Sequence, residues 1–377
     1  MHHNQFREIP PKSDDSYEHN TYLKRLHLRH VLATKAIGVV AAVELLYASS
    51  YQVPILLEEQ RLADTQPVLH HISDNPDFLG TRTVVLGGFA IKDASPIARA
   101  LPQLEQLGSV DAIEYDNRGI DAKVIARQII ESAEAGAATE REKPDEIGVG
   151  LWLESAAGFD GLEVARIIQE DLDTPVRISY IVYDCMPADA SSLRDVKKDP
   201  IDVLQAVSAV LPKVRIHPLI SYAYYNEVLG PEPAAASGST SRAQQVVNYM
   251  YNPKTPSSAL LTSQALAVLS PTPGDTLQLI ADVKEKDPPI HISFRPAEDQ
   301  EDNDETVITS DAEPKLRAAV IETGMTYVTI RLRDIIHADP TVNRKQYQEA
   351  LENIVIPIIK NYDLSRQPKS YTPDGAQ

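Results

Sequence analysis

The chain has one cysteine, Cys185, so it can form neither an intrachain disulfide framework nor a multi-cysteine zinc or iron–sulfur site. One thiol does not decide the compartment. Positive charge is also scarce, with 36 Lys and Arg against 54 Asp and Glu, a net charge of −18. A chain this acidic does not hold nucleic acid by a general electrostatic attraction. It also lacks a broad basic face for a membrane, though a local one stays open. Glycine (16 residues) and proline (27) are too few and too aperiodic for a fibrous or low-complexity protein. No internal repeat and no Gly-x-x-x-x-Gly-Lys-Ser/Thr phosphate loop occurs. Gly87-Gly88 lacks the third glycine of the dinucleotide fingerprint, which argues against a Rossmann-type nucleotide enzyme. What is present is a globular composition: 43% apolar and 24% charged over 377 residues, enough for one large domain or two ordinary ones.

Residues 1–28 read as a disordered tail, with Pro10-Pro11, Ser13, Asp14 and Asp15 and no apolar period. Residues 29–50 read as an apolar helix. Its run from Val31 to Ala48 is 18 residues long, near the lower limit for a membrane span, and follows Lys24, Arg25 and Arg29. An anchor here would hold the tail inside and the domain outside. Against it stands Glu44, whose short stem cannot reach the interface at an insertion cost of about 2–3 kcal/mol. The alternative is a helix packed on the domain of a cytoplasmic protein. No cleavable signal peptide is evident, because the apolar run begins late.

From residue 51 the pattern alternates β-rich runs with helical ones. Expected strands are Thr83–Leu86, Val110–Tyr115, Ile147–Leu153, Val176–Tyr183, Ile290–Phe294 and Thr326–Ile330. Expected helices run from about Ser95 to Leu107, Ala122 to Ala135, after Ser155, Asp311 to Thr323 and Lys345 to Lys360. Strand–helix alternation at this spacing means right-handed crossovers, a mainly parallel doubly wound sheet and an α/β fold. The core is expected over 51–189 and 286–363, with a cap or lid inserted at 190–285 and a frayed tail at 364–377. Tyr222, Tyr224 and Tyr225 in the insertion offer apolar area with polar tips, either for substrate or for packing of the cap itself.

Reactive groups in such a sheet collect at the carboxyl ends of its strands. Gly87-Gly88-Phe89 is a flexible turn able to aim N–H groups into a cavity. Ser155 follows a hydrophobic strand and precedes a helix, which suits either a nucleophile above an oxyanion site or an ordinary N-cap. An acidic loop follows Phe294, with Glu298, Asp299, Glu301, Asp302, Asp304 and Glu305. His337 comes just past the last strand. Serine, acid and histidine in that chain order make one known solution to the triad problem. Asp302, Asp304, Thr306, Ser310 and Glu313 also match five positions of a calcium-loop template, but Val307 occupies the position that needs glycine. The pairs His2-His3 and His70-His71 point in divergent directions and read as surface residues.

Residues 80–360 resemble the α/β-hydrolase fold superfamily. The likeness is carried by Gly87-Gly88-Phe89, the turn Tyr115-Asp116-Asn117-Arg118-Gly119, the elbow Leu153-Glu154-Ser155-Ala156-Ala157-Gly158, and His337. The resemblance implies Ser155 as nucleophile, His337 as base and Asp304 as acid, with Asp302 and Asp299 as alternative acids. It implies an oxyanion hole from the backbone N–H of Ala156 and of Phe89 or Ala90. It implies no cofactor and no metal. The elbow departs from Gly-x-Ser-x-Gly at both glycines: Ala157 is a mild change, but Leu153 occupies a position that normally has to be small. Leu153 is therefore expected to tilt the elbow or displace the following helix. The expected function is hydrolysis of an ester, thioester or amide, in a small-molecule or lipid-like substrate. The alternative is a catalytically relaxed relative that binds a ligand or partner.

Overall fold

The computed structural model describes residues 53–75, 81–138, 146–194, 252, 255–269 and 273–366. The chain divides into two units, Met1–Leu56 and Leu57–Gln377, and the description below concerns the second. Among the described residues no helix is long and apolar enough to cross a membrane. The candidate anchor at 31–48, the tail at 1–28, residues 367–377 and Tyr222, Tyr224 and Tyr225 lie outside the described residues, whereas residues 364–366, expected as part of the frayed tail, belong to the last helix.

Seven strands form one sheet: β1 (Val68–Ser73), β2 (Thr81–Leu86), β3 (Ser109–Glu114), β4 (Ile147–Glu154), β5 (Val176–Asp184), β6 (Ile290–Pro296) and β7 (Thr326–Leu332). Their order is β1-β3-β2-β4-β5-β6-β7, and all pairs are parallel except β1 with β3. The central strands β4, β5 and β6 are buried along nearly their whole length. β4 reads IGVGLWLE and is buried at every residue, as a parallel strand covered on both faces must be.

Side chains of adjacent residues part to opposite faces. Val84, Leu151, Leu153 and Ile181 join one apolar cluster with helices α3 (Ala122–Ala137), α4 (Ala157–Glu170), α6 (Pro273–Asp282) and α7 (Thr309–Glu322). Val85, Trp152 and Val182 join the other with α2 (Ser95–Ala100), a 3-10 turn at Pro102–Leu107, α8 (Arg344–Ala350), a π turn at Leu351–Val355 and α9 (Ile356–Arg366). Helix α1 spans Val53–Ala63 and α5 spans Ser258–Ala267.

The six expected strands all form. Strand β1 is an addition. It is a half-exposed edge strand whose VLHHIS sequence carries two histidines in place of an apolar alternation. Its polar groups are used: His70 Nε2 lies 2.8 Å from a Glu114 carboxylate and His71 Nδ1 lies 3.0 Å from Asp111. The helix expected from Ser95 to Leu107 is interrupted after Ala100. Pro102 has no N–H and disfavours the helical conformation at Leu101, so the chain restarts as a 3-10 turn.

Within the stretch expected as a cap, α6 runs along the sheet-covering layer, with Leu277 and Ile280 in the same core as α4 and α7. Just before β6, Lys286 donates from Nζ to the carbonyls of Ile168 (2.8 Å), Asp171 (2.6 Å) and Val176 (2.7 Å). One buried ammonium thus satisfies carbonyls at the C-terminus of α4 and at the start of β5, where cations suit the helix dipole. Lys286→Met should lower unfolding free energy by about 2–3 kcal/mol, because it leaves buried carbonyls unpaired. Urea denaturation measures this, and an unchanged midpoint would refute it.

Candidate active site

Strand β4 ends at Glu154 and α4 starts at Ala157, so the chain reverses direction within two residues. Ser155 takes φ 46°, in the left-handed region that non-glycine residues rarely enter. Its N–H donates to the Asp184 carbonyl at the end of β5 (2.8 Å), and its own carbonyl accepts from Gly158 N–H (3.0 Å). The position before α4 is Ala156, and no side chain caps that helix. Ser155 is therefore not spent as an N-cap. Its Oγ lies 2.6 Å from His337 Nε2, and the hydroxyl donates there when the imidazole carries its proton on Nδ1.

Leu153 packs directly against α4. The helix carries Gly161 opposite it, and a Cβ at Gly161 would overlap the Leu153 side chain. The glycine usually found in the strand has in effect moved across the interface to the helix. Volume at the contact is conserved, which is what close packing requires.

His337 comes from the loop after β7 and Asp304 from the loop after β6. His337 Nδ1 lies 3.0 Å from Asp304 Oδ1, off the line of a straight hydrogen bond. Asp304 is fully buried, and its Oδ1 also accepts from the N–H groups of Thr306 (2.9 Å) and Val307 (2.8 Å). Burial pushes the Asp304 carboxyl up, but His337 and these two N–H groups outweigh it and hold the carboxyl below its ordinary value.

The loop after β6 reaches back through a 3-10 turn at Glu298–Asn303. Gln300 then joins it to the histidine loop, accepting from Asp334 N–H (2.7 Å) and donating to the Asp334 carboxylate (2.9 Å). Asp299 and Asp302 face elsewhere: Asp299 pairs with Arg333 at 3.0 Å and Asp302 with Arg194 at 3.2 Å, both on the surface. Neither is presented to the ring. The calcium-template residues do not converge either, because Asp304 turns inward and Glu313 pairs with Arg331 and Thr329.

The Gly88–Ile91 turn lies against the elbow. A Cβ at Gly88 would stand 2.7 Å from the Glu154 carbonyl oxygen, so only glycine allows this approach. The expected hole must be corrected at Ala90, whose N–H donates to Gln264 Oε1 (2.9 Å) and is committed. Ala156 stands immediately before α4, and Phe89 lies within the Gly88–Ile91 turn.

An arrangement of buried mainly α/β layers, one antiparallel edge strand and a left-handed serine between the fourth strand and its helix decides the fold. The chain has the α/β-hydrolase fold. No family model matches the sequence, and no curated protein matches it. Similar solved structures include a carboxylesterase of the thaumarchaeon Nitrososphaera gargenis, with 11% identity over 79% of this chain and 97% of that one, at a TM-score of 0.46. A haloalkane dehalogenase of Bradyrhizobium elkani is 15% identical over 80% of this chain and 100% of that one, at a TM-score of 0.44. A proline iminopeptidase of Mycobacterium smegmatis is 12% identical over 81% and 97%, at a TM-score of 0.41.

In this α/β-hydrolase fold the site floor holds ionisable groups that the sequence reading did not single out. Glu154 and Asp184 end neighbouring strands in register, and both are buried. Burial, then the charge of Asp184, raises the Glu154 carboxyl well above its ordinary value. Burial lifts Asp184 to about 7 against the opposing hydrogen bond from Tyr347, whose hydroxyl donates to Asp184 Oδ1 at 2.7 Å. Tyr347 in turn packs with Trp152 and Phe294, ring centroids 6.2 and 5.4 Å away. The only trace of Asp184 in the sequence is that it directly follows a strand.

Two groups gather possible metal ligands among the described residues: Cys185, Asp304 and His337, and His70, Asp93 and Glu114, each with ligand atoms within 4.8 Å of one another. In the first, burial raises the Cys185 thiol and opposes the thiolate that a metal needs. In the second, the Lys92 ammonium already lies 3.1 Å from Glu114.

Two outcomes follow. Gly161→Leu should cost about 1–3 kcal/mol by overpacking, and adding Leu153→Gly should recover at least half of it, as read by urea denaturation. Simple additivity of the two costs would refute the exchange. For Asp184 the folded carboxyl at about 7 lies above the unfolded value near 3.8, so the folded state binds more protons between these values. Stability therefore falls as pH rises through that window. Asp184→Asn should lose less stability than the unsubstituted protein between pH 5 and pH 8, and equal losses would mean that Asp184 is ionised throughout.

Proposed function

We propose that the protein is a serine hydrolase acting on an ester, thioester or amide. The observation that carries this reading is the 2.6 Å hydrogen bond from the Ser155 hydroxyl to His337 Nε2 on a left-handed elbow. Serine at such a turn, paired to a histidine with a buried carboxylate on the far nitrogen, has the parts of an activated nucleophile.

In this reading the Ser155 oxygen bonds to the carbonyl carbon as its proton passes to His337 Nε2. The carbonyl electron pair moves onto oxygen, which is held by the N–H of Ala156 and of Phe89. Asp304 keeps the Nδ1–H tautomer and offsets the positive charge that develops on the imidazole. Collapse breaks the bond to the leaving alcohol, thiol or amine, which takes the proton back from His337. Water then repeats the sequence on the acyl-enzyme and frees Ser155. The substrate is small-molecule or lipid-like in this proposal.

The alternative of a catalytically relaxed binding protein drew its support from Leu153. Gly161 accommodates that side chain, so the feature no longer favours it.

A fluorophosphonate probe should label the protein, and Ser155→Ala should abolish the labelling. Asp304→Asn should lower kcat on a short-chain nitrophenyl ester by about 10³–10⁴-fold, since the wrong tautomer is then held. Labelling that survives in Ser155→Ala would overturn the proposal.

A further inference from the structure

Arg194 lies beyond the end of β5, after a 3-10 turn at Ala190–Ser192. The residues before it are fastened to α7. Asp189 accepts from Ser192 N–H (3.0 Å) and pairs with the Lys315 ammonium (3.2 Å), and the Ser192 hydroxyl donates to Asp311 Oδ2 (2.8 Å). The chain then runs antiparallel to the far end of the acid loop. Leu193 bridges Val307, Arg194 N–H donates to the Thr306 carbonyl (3.0 Å), and Ile308 N–H donates to the Ser192 carbonyl (2.7 Å).

This places the Arg194 guanidinium against the main chain of the buried acid. Nε donates to the Asp304 carbonyl, and Nη2 donates to the Glu301 carbonyl (3.0 Å) and to the Asp302 carboxylate (3.2 Å). A planar fork of donors suits several acceptors on one turn, where lysine offers a single point charge. Asp304 is thereby held from two sides. Its carbonyl faces Arg194, while its Oδ1 takes the N–H groups of Thr306 and Val307 and lies 3.0 Å from His337 Nδ1. Asp304 Oδ2 has no hydrogen-bond partner, so the aim of the carboxylate depends on where its main chain is held. The same guanidinium engages the rival carboxylate of Asp302 at the surface.

We infer that Arg194 is a positioning residue for the acid of the triad. It holds the Asp304 main chain so that the carboxylate stays turned to His337, and it draws Asp302 the other way. This rests on the hydrolase reading above. Arg194 touches no reacting atom. Its loss loosens Asp304, and should slow the chemical step while leaving substrate binding alone.

The test uses the full-length protein and Arg194→Met, which keeps an unbranched side chain, removes these three hydrogen bonds and leaves the backbone bridge to residues 306–308 in place. Amide hydrogen exchange read by mass spectrometry should rise about tenfold or more across residues 299–306 and stay unchanged across β4. On a short-chain nitrophenyl ester, kcat should fall about 10- to 100-fold with KM within about threefold. Added to Asp304→Asn, Arg194→Met should lower kcat by no more than about twofold further, because its effect runs through that carboxylate. A merely structural role would multiply the two losses. Unchanged exchange at 299–306 overturns the inference. So does an unaltered kcat, a loss confined to KM, or two losses that multiply. Should Arg194→Met fail to fold, Arg194→Lys keeps the charge but gathers its donors on one nitrogen, and faces the same criteria. An unsubstituted protein inert to the fluorophosphonate probe would end the hydrolase reading itself. The exchange measurement needs no activity, so the two failures are told apart.

Discussion

The turn at Ser155 is held in an unfavourable conformation by contacts that come from everywhere except its own residues. A left-handed serine costs roughly 1–3 kcal/mol, and the elbow keeps it because strand β4 is buried at every position and cannot relax. Its N–H is drawn onto the end of β5, and Leu153 beneath it fills the space that Gly161 leaves on α4. The position of the Ser155 hydroxyl is thus a packing result.

The same logic extends outward along the strand ends. Gly88 comes against Glu154 because it has no Cβ, and Gln264 then holds the rest of that turn from the outside. The acid and histidine loops are tied to each other by the reciprocal Gln300–Asp334 pair, so Asp304 and His337 approach the serine as one unit. Beneath them, Glu154 and Asp184 sit in a low-dielectric floor where burial favours their neutral forms. Asp304 is as deeply buried, yet two backbone N–H groups and the imidazole keep it in the charged form. Two buried carboxyls a strand apart therefore differ in charge because their hydrogen-bond donors differ.

Much of the architecture was legible in the residues. The six parallel strands were legible as β-branched and apolar-rich segments separated by helical ones, and β4 and β6 are buried along their whole length. Strand β1 was not legible, because an edge strand half in solvent needs no apolar alternation and VLHHIS shows none. Leu153 was read as an obstacle, since local sequence does not reveal that residue 161, one strand-to-helix turn away, is its packing partner. Ala90 was read as an oxyanion donor for a similar reason. Its N–H is taken by a glutamine 174 residues later, and nothing in the sequence marks that glutamine.

By itself the sequence determined the order of strands and helices, the serine between β4 and α4, and the histidine after the last strand. These follow from periodicity and from the local rules of strand ends, which act over a few residues. The family resemblance favoured Asp304 with Asp302 and Asp299 as alternatives, and the tertiary structure shows which of the three faces the histidine. All three lie within six residues on one acidic loop, and only the fold of that loop turns one carboxylate inward while Arg333 and Arg194 take the other two. Local physics alone does not settle that orientation, because it depends on which side chain of a loop faces a ring brought in from a different strand.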